Sequence, residues 1–267
     1  MDPIEKMKAA AREGWSTFTP FEIFTATVAP ELVRFAGIGK GDRVLDVGCG
    51  TGVVALTAAR VGAAVTGADL TPQLLERARE NAQVAGLEAD FHEADVEALP
   101  FADAEFDYVL SQFGHIFGPQ PDLTVQEMVR VLKPGGTIAF STWPPELMVG
   151  RIFKLLGAYG PPPPPGVSPP WEWGDVSIVR ERLASLVENL TFDRACMRFP
   201  ALSPAHARIF YEQTSGPLTK LVKALSDDAA KLALLRLDME ALAADYFVDN
   251  VVHQDFLMTR GTRIQPA

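Results

Sequence analysis

The sequence has 267 residues, 48% of them hydrophobic, and a formal net charge of −10, enough chain for one large α/β domain or a domain with an appended lobe. The charge and a pI near 4.9 argue against an electrostatic grip on nucleic acid or an anionic membrane, because phosphates would be repelled. There is no uncharged apolar run of about 18 residues to span a bilayer; the start, MDPIEKMKAAAREGW, lacks the apolar stretch of a signal peptide; and Cys49 and Cys196 form no CxxC pair. A cytoplasmic protein with no membrane insertion is expected.

Residues 4 to 36 are predicted as helices broken at Thr19-Pro20, followed by a turn, GIGKGD. RVLDV (43 to 47) is a short apolar run bounded by turn signals, as a buried strand would be. After three glycines, VVALTAARVG forms a helix ended by Gly62. AAVTGAD (63 to 69) is the second strand. Thr71-Pro72 starts the next helix with proline at its first position, where a missing N–H costs nothing; Gly86 stops it. EADFHEAD (88 to 95) and FDYVLSQFG (106 to 114) are the third and fourth strands. Asp122 is placed to cap a helix whose Val125, Met128, Val129 and Leu132 share one face. KPGG then turns the chain into a fifth strand, TIAFSTW (137 to 143). Strands alternating with helices imply right-handed βαβ units and a parallel sheet.

Beyond residue 143 the pattern is less regular. GPPPPPGVSPPWEWG (160 to 174) suits neither helix nor central strand, because proline lacks the donor and fixes φ; it is expected as a stiff connector. Residues 176 to 190 read as one helix, 192 to 199 as a strand, and 204 to 225 and 228 to 247 as two helices before a last strand near 250 to 260.

The glycines Gly48, Gly50 and Gly52 follow a strand and open a helix. Glycine allows a tight turn and a close ligand, and the helix start offers unpaired N–H groups. A dinucleotide fold would show G-x-G-x-x-G with its pyrophosphate on the helix. Here the spacing is G-x-G-x-G, preceded by Asp46. That carboxylate would repel phosphate but suits an ammonium, or a water network holding one; its alternative use is as a partner for the helix N-terminus. Asp69 closes the second strand and can accept both hydroxyls of a ribose. Asp95 closes the third and can take a hydrogen bond from an adenine amine, with the Val96 N–H facing a ring nitrogen. A ribose, an adenine and a cationic amino-acid end without phosphate describe S-adenosylmethionine, bound at the carboxyl edge of the strands.

VLDVGCGTG, VTGADLTPQLLERAR, HEADVEALPFADAEFDYVLSQFG and EMVRVLKPGG together resemble the successive motifs of class I S-adenosylmethionine-dependent methyltransferases, most of all the branch of the ubiquinone/menaquinone-biosynthesis enzymes and related small-molecule methyltransferases. The resemblance covers about residues 40 to 143. It implies a Rossmann-like α/β fold with a seven-stranded sheet of order 3-2-1-4-5-7-6, the last strand antiparallel, helices on both faces and a helical lid. It also implies that Gly48, Gly50, Thr51, Asp69, Leu70, Asp95, Val96 and Gln112 line the cofactor. The expected organisation is a single methyltransferase domain over 1 to 267: an N-terminal helical cap (1 to 36), a cofactor-binding core (37 to 143), and substrate-side insertions with the last strands (144 to 267).

Such a reaction asks for a methyl acceptor, expected to be a small molecule, held in line with the sulfonium; a base is needed only for a protonated, weak nucleophile. The four histidines lack metal-ligand spacing, and no metal is expected. His115, just past the fourth strand in SQFGHIFG, is the candidate catalytic base, with an orienting or structural role as its alternatives. Trp15, Phe18, Phe21 and Phe24, and Trp143, Trp171 and Trp173, are candidate walls of the acceptor site. A homo-oligomer is compatible with the composition. The competing readings are an NAD(P)-dependent oxidoreductase on a similar sheet and a catalytically silent cofactor-binding protein.

Overall fold

The computed structural model describes residues 2–265. Its centre is β1 (Arg43–Val47), whose Val44, Leu45 and Val47 are buried, as a parallel strand covered on both faces requires. Around it run β2 (Ala64–Asp69), β3 (Asp90–Glu93), β4 (Phe106–Gln112) and β5 (Leu132–Thr142), all parallel. β6 (Val187–Pro200) and β8 (Val251–Arg263) complete the order β3-β2-β1-β4-β5-β8-β6, with β8 antiparallel to both neighbours. That is the expected order, counting β8 as the seventh long strand; the addition is β7 (Phe247–Val248), a two-residue partner of β8.

Helices cover both faces. On one, α2 (Glu22–Ala36), α3 (Val53–Arg60) and α4 (Pro72–Ala85) bury Ala29, Leu32, Val54, Ala55, Leu75 and Ala78 against β1 and its neighbours. Both α2 and α4 end at a left-handed glycine, Gly37 and Gly86, the usual way of satisfying the last carbonyls. On the other, α5 (Pro121–Val131) and α7 (Val176–Leu183) pack Val125, Met128, Val179 and Leu183 beneath Phe140 and Phe256. A third apolar cluster joins α6 (Met148–Tyr159), α8 (Pro204–Thr214), α9 (Gly216–Ala224) and α10 (Ala229–Ala244) over the ends of β6 and β8. In contrast α1 (Pro3–Trp15) buries no residue. The expected N-terminal cap thus divides: α2 is core, and α1 is a strap laid over the surface.

Four details depart from expectation. α5 starts at Pro121 with Gln120 before it, so Asp122 lies inside the first turn and caps nothing. The helix expected to Leu190 ends at Leu183, because Val187 pairs with Arg263 and Asn189 takes a positive φ where the β6–β8 register shifts. The helix expected over 204 to 225 breaks between α8 and α9 at Ser215, ahead of Pro217, which cannot continue a helix. The proline-rich segment closes with a 3₁₀ turn, Pro170–Gly174, that plants Trp173 in the core at 1% exposure; its far end is an anchor rather than a free connector.

Candidate active site

β1 carries Gly48 to the carboxyl edge of the sheet. Gly48, Gly50 and Gly52 all take positive φ, a region that strains residues with a Cβ. A Cβ on Gly48 would meet the Gly114 Cα at 2.7 Å, so the loops after β1 and β4 cross backbone to backbone. Gly50 has nothing within 4 Å of that position, and its open side lines the cavity. Thr51 is buried behind it, its carbonyl accepting from Asn81 Nδ2 at 3.0 Å. The Cys49 thiol is buried and pushed well above its ordinary pKa by desolvation and by Asp46 and Asp69, so it fills space.

Two acids organise this loop. Asp69 Oδ2 accepts from Gly50 N at 2.8 Å and Oδ1 from Thr71 N at 2.8 Å. One carboxylate thereby fixes both the glycine turn and the start of α4, while facing the cavity with Leu70. Burial raises its pKa against the pull of those amides. Asp46 lies deeper, at 1% exposure. Its Oδ2 accepts from Ala55 N at 2.9 Å in the first turn of α3, and its Oδ1 has no hydrogen-bond partner among the described residues. Burial, with Asp69 nearby, raises its pKa to about 8. The helix-partner role is therefore realised, and Asp46 does not itself line the cavity.

At the end of β3, Asp95 Oδ1 accepts from Glu97 N at 2.9 Å. Its Oδ2 receives Lys8 Nζ of α1 at 2.6 Å, and Lys8 also reaches Glu97 Oε2 at 2.6 Å. Gln112, at the end of β4, donates from Nε2 to the Thr25 carbonyl of α2 at 2.9 Å, leaving Oε1 buried without a partner among the described residues. Gly48, Gly50, Thr51, Asp69, Leu70, Asp95, Val96 and Gln112 all line one cavity of about 220 Å³. It continues past β4 between Phe113, Trp143 and the helices α6, α8 and α9.

Residues 44–136 match the family model described as a methyltransferase domain. The protein Rv1403c of Mycobacterium tuberculosis is 35% identical over 238 residues, 89% of this chain and 87% of that one. A ubiquinone biosynthesis O-methyltransferase of Aromatoleum aromaticum is 36% identical over 165 residues, 59% of this chain and 69% of the relative. The chain belongs to the class I S-adenosylmethionine-dependent methyltransferases. The solved structure of the YcgJ protein from Bacillus subtilis shares this methyltransferase's fold, with a TM-score of 0.61 at 18% identity over 90% of this chain and 99% of that one.

S-adenosylmethionine is the cofactor of this methyltransferase class, and the residues present fit it. The open face of Gly50 leaves room for a ligand against the loop, the Asp69 carboxylate faces the same space, and the buried Gln112 Oε1 that lines it retains an unused acceptor.

His115 requires correction as the catalytic base. It sits on a 3₁₀ turn, His115–Phe117, whose ring points inward at 0% exposure. The ring centroid lies 4.6 Å from Phe140 and 4.6 Å from Trp173, and His115 is not among the residues that line the cavity. Desolvation, with Arg182 adding repulsion, lowers its pKa to about 3. A ring buried this way among core aromatics speaks for the structural alternative and against a base in contact with an acceptor. Of the expected walls, Trp15, Phe18, Phe21 and Trp143 line the cavity, whereas Phe24 and Trp171 do not and Trp173 is the roof over His115. Missed from the sequence were Gly114, whose Cβ would lie 2.5 Å from the Gly48 carbonyl oxygen, and Lys8. A glycine directly after a strand end was the available signal for the first; nothing local marked the second.

Proposed function

We propose that the chain moves a methyl group from S-adenosylmethionine to a small-molecule acceptor by in-line displacement. The observation that carries this reading is the continuity of one cavity from the Gly50–Asp69 loop, across Gln112, into a chamber walled by Phe113, Trp143 and Phe18. Cofactor and acceptor can thus meet in one largely apolar space.

The cofactor supplies an activated methyl on a sulfonium that is its own leaving group. What remains for the protein is orientation, which can be worth about 7–11 kcal/mol of barrier. Asp69 holds the glycine turn and offers its carboxylate to the ribose. Asp95 and Val96 take the adenine edge. Gln112 is braced from α2 and fixes the depth at which the two ligands meet. Bound there, the cofactor would supply its methyl group to the acceptor and leave as S-adenosylhomocysteine, and an acceptor that arrives protonated would give up its proton to solvent.

Calorimetric titration with S-adenosylhomocysteine and with NADH, followed by transfer of labelled methyl into phenols, thiols and amines, tests the reading. Tight NADH binding without adenosyl binding would overturn it in favour of an oxidoreductase. Adenosyl binding with no transfer to any acceptor would favour a silent cofactor-binding protein.

A further inference from the structure

The half of the cavity beyond β4 has a distinct chemistry. Its walls are Phe18, Phe21, Phe113, Trp143, Ile152 and Met197. Trp143 stacks on Phe113 with centroids 4.0 Å apart and 16° between planes, giving a flat aromatic floor. The charged residues among those lining the whole cavity are Lys8, Asp69 and Asp95, all at the cofactor end. Lys8 and Asp95 are neutralised by each other.

Within this apolar chamber stands one buried polar pair. Tyr211 comes from α8 and is held by a stack on Phe199, centroids 5.3 Å apart. Gln254 comes from β8, directly across the ladder from Met197. Its Nε2 donates to Tyr211 Oη at 2.6 Å; Tyr211 is 8% exposed and Gln254 1%. Burying two amphipathic groups in an apolar wall is costly unless their remaining capacity is used. Here the bond from Gln254 occupies a lone pair of the phenolic oxygen and leaves the Tyr211 proton to be donated elsewhere. Desolvation raises the Tyr211 pKa well above its ordinary value, so the group is a neutral donor throughout the physiological range.

We propose that the chamber selects an uncharged, largely aromatic or aliphatic acceptor bearing one oxygen, and that the Tyr211–Gln254 pair is the positioning device for that oxygen. This rests on the methyltransferase reading of the adjoining cofactor site. Flat apolar acceptors slide along the Phe113–Trp143 floor, and this buried polar pair sets their register. Carboxylate and ammonium acceptors are rejected, because they would lose their hydration with no counter-charge in this half of the cavity.

The test uses the whole chain saturated with S-adenosylhomocysteine and four probes of similar size: 4-propylphenol, propylbenzene, 4-propylbenzoate and 4-propylbenzylammonium. Binding is followed by quenching of tryptophan fluorescence. The phenol should bind about tenfold more tightly than propylbenzene, as one or two net hydrogen bonds allow. Both ionic probes should bind at least about tenfold more weakly than the phenol, for want of a counter-charge. Tyr211→Phe should remove the phenol's advantage while leaving propylbenzene binding unchanged, an outcome that a merely structural tyrosine would not produce. Gln254→Leu reads the same discrimination should Tyr211→Phe fail to fold. An ionic probe binding as tightly as the phenol, or a phenol advantage that survives in a folded variant, overturns the proposal. The ranking in the unmodified protein decides by itself if neither variant folds. Titration of S-adenosylhomocysteine into the same sample separates the two ideas: failure there removes the methyltransferase reading, whereas cofactor binding with the wrong probe ranking removes only this one.

Discussion

Lys8 Nζ lies 2.6 Å from Asp95 Oδ2 and 2.6 Å from Glu97 Oε2, so the carboxylate assigned to the adenine amine is shared with the N-terminal strap. Burial works against the Lys8 charge, yet the two carboxylates outweigh it and hold the ammonium above its ordinary pKa. Because α1 buries no residue, this ion pair, Arg12 on Glu93 at 2.5 Å and Trp15 against Phe117 do much of its fastening. Lys8→Met should loosen α1 by about 1.4 kcal/mol, a tenfold rise in its open population. Trypsin cleavage after Arg12 should accelerate by the same factor, since such cleavage follows local opening. The main melting transition should shift little. Unchanged cleavage would show that the strap is held elsewhere.

Asp69→Asn keeps the shape of the side chain and an acceptor for one of the two amides, but loses the charge. Charged hydrogen bonds contribute about 1.5–3 kcal/mol each. S-adenosylhomocysteine affinity should fall at least about tenfold in a variant that still folds. A folded variant with full affinity would mean that the ribose does not use this carboxylate.

Gly114→Ala tests the crossing of the two loops. Its Cβ would lie 2.5 Å from the Gly48 oxygen and 2.7 Å from the Gly48 Cα, both backbone atoms that cannot rotate away. The variant should lose about 1–3 kcal/mol of stability, the scale of overpacking. Cofactor affinity should drop with it, because the displaced loop carries Gly50. Gly114 has a φ of −84°, open to any residue, so its substitution tests the clash alone. Gly86→Ala is the contrasting case, a positive φ with nothing within 4 Å, and should cost stability through backbone strain while sparing binding.

Asp46 makes a prediction of sign. Its pKa is raised from 3.8 to about 8, so between those values the folded state holds a proton that the unfolded state has released. Stability therefore falls as pH rises through that window and levels off above it. Asp46→Asn keeps an acceptor for the Ala55 amide and has no charge to desolvate. Relative to the parent, its stability should gain at least about 1.4 kcal/mol, the value of one pKa unit, between pH 4 and pH 8. Denaturation at the two pH values measures this. A constant difference would show that Asp46 is ionised in the folded protein throughout.

His115 has the opposite sign. Its pKa falls from 6.5 to about 3, so the unfolded state binds the extra proton, and the stability due to this group is lost as pH falls from about 6.5 towards 3. His115→Phe should flatten that loss. His115→Ala should cost roughly 3–5 kcal/mol, as for other buried aromatic truncations. The rate of methyl transfer per folded molecule should show no limb near pH 6.5, and such a limb disappearing in His115→Phe would restore His115 to the chemistry.

What could be read in the sequence follows from where the information is local. The bounds of β1 agree with RVLDV because the apolar Val44, Leu45 and Val47 are bracketed by the Gly41-Asp42 turn and by Gly48. That Asp69 and Asp95 reach the cavity could be expected because a strand's end fixes where the side chains that follow it go. His115 was misplaced because adjacency to a strand end does not say which way a 3₁₀ turn aims its ring; the Phe140–Trp173 slot that receives it comes from elsewhere in the chain. The helix expected over 176 to 190 stops short because Val187 and Glu188 pair with Arg263 and Thr262 of β8, a partner far along the chain that nothing local announces. α6 went unassigned between two proline-rich stretches, although Met148, Ile152 and Leu156 lie at helical spacing along it. Tyr211 and Gln254 are 43 positions apart, and no motif links them.

β8 is the last strand in the chain, yet it lies between β5 and β6. β6 therefore has no partner on the sheet until residues 251–263 have been made and threaded into place. The cofactor half, β1 to β5, rests on near neighbours in sequence and can assemble while the chain is still emerging from the ribosome. Gln254 and Met197 face each other only after that final insertion. A nascent chain thus makes the strands of its cofactor cradle before β8, and the Tyr211–Gln254 pair closes only when that strand has been inserted.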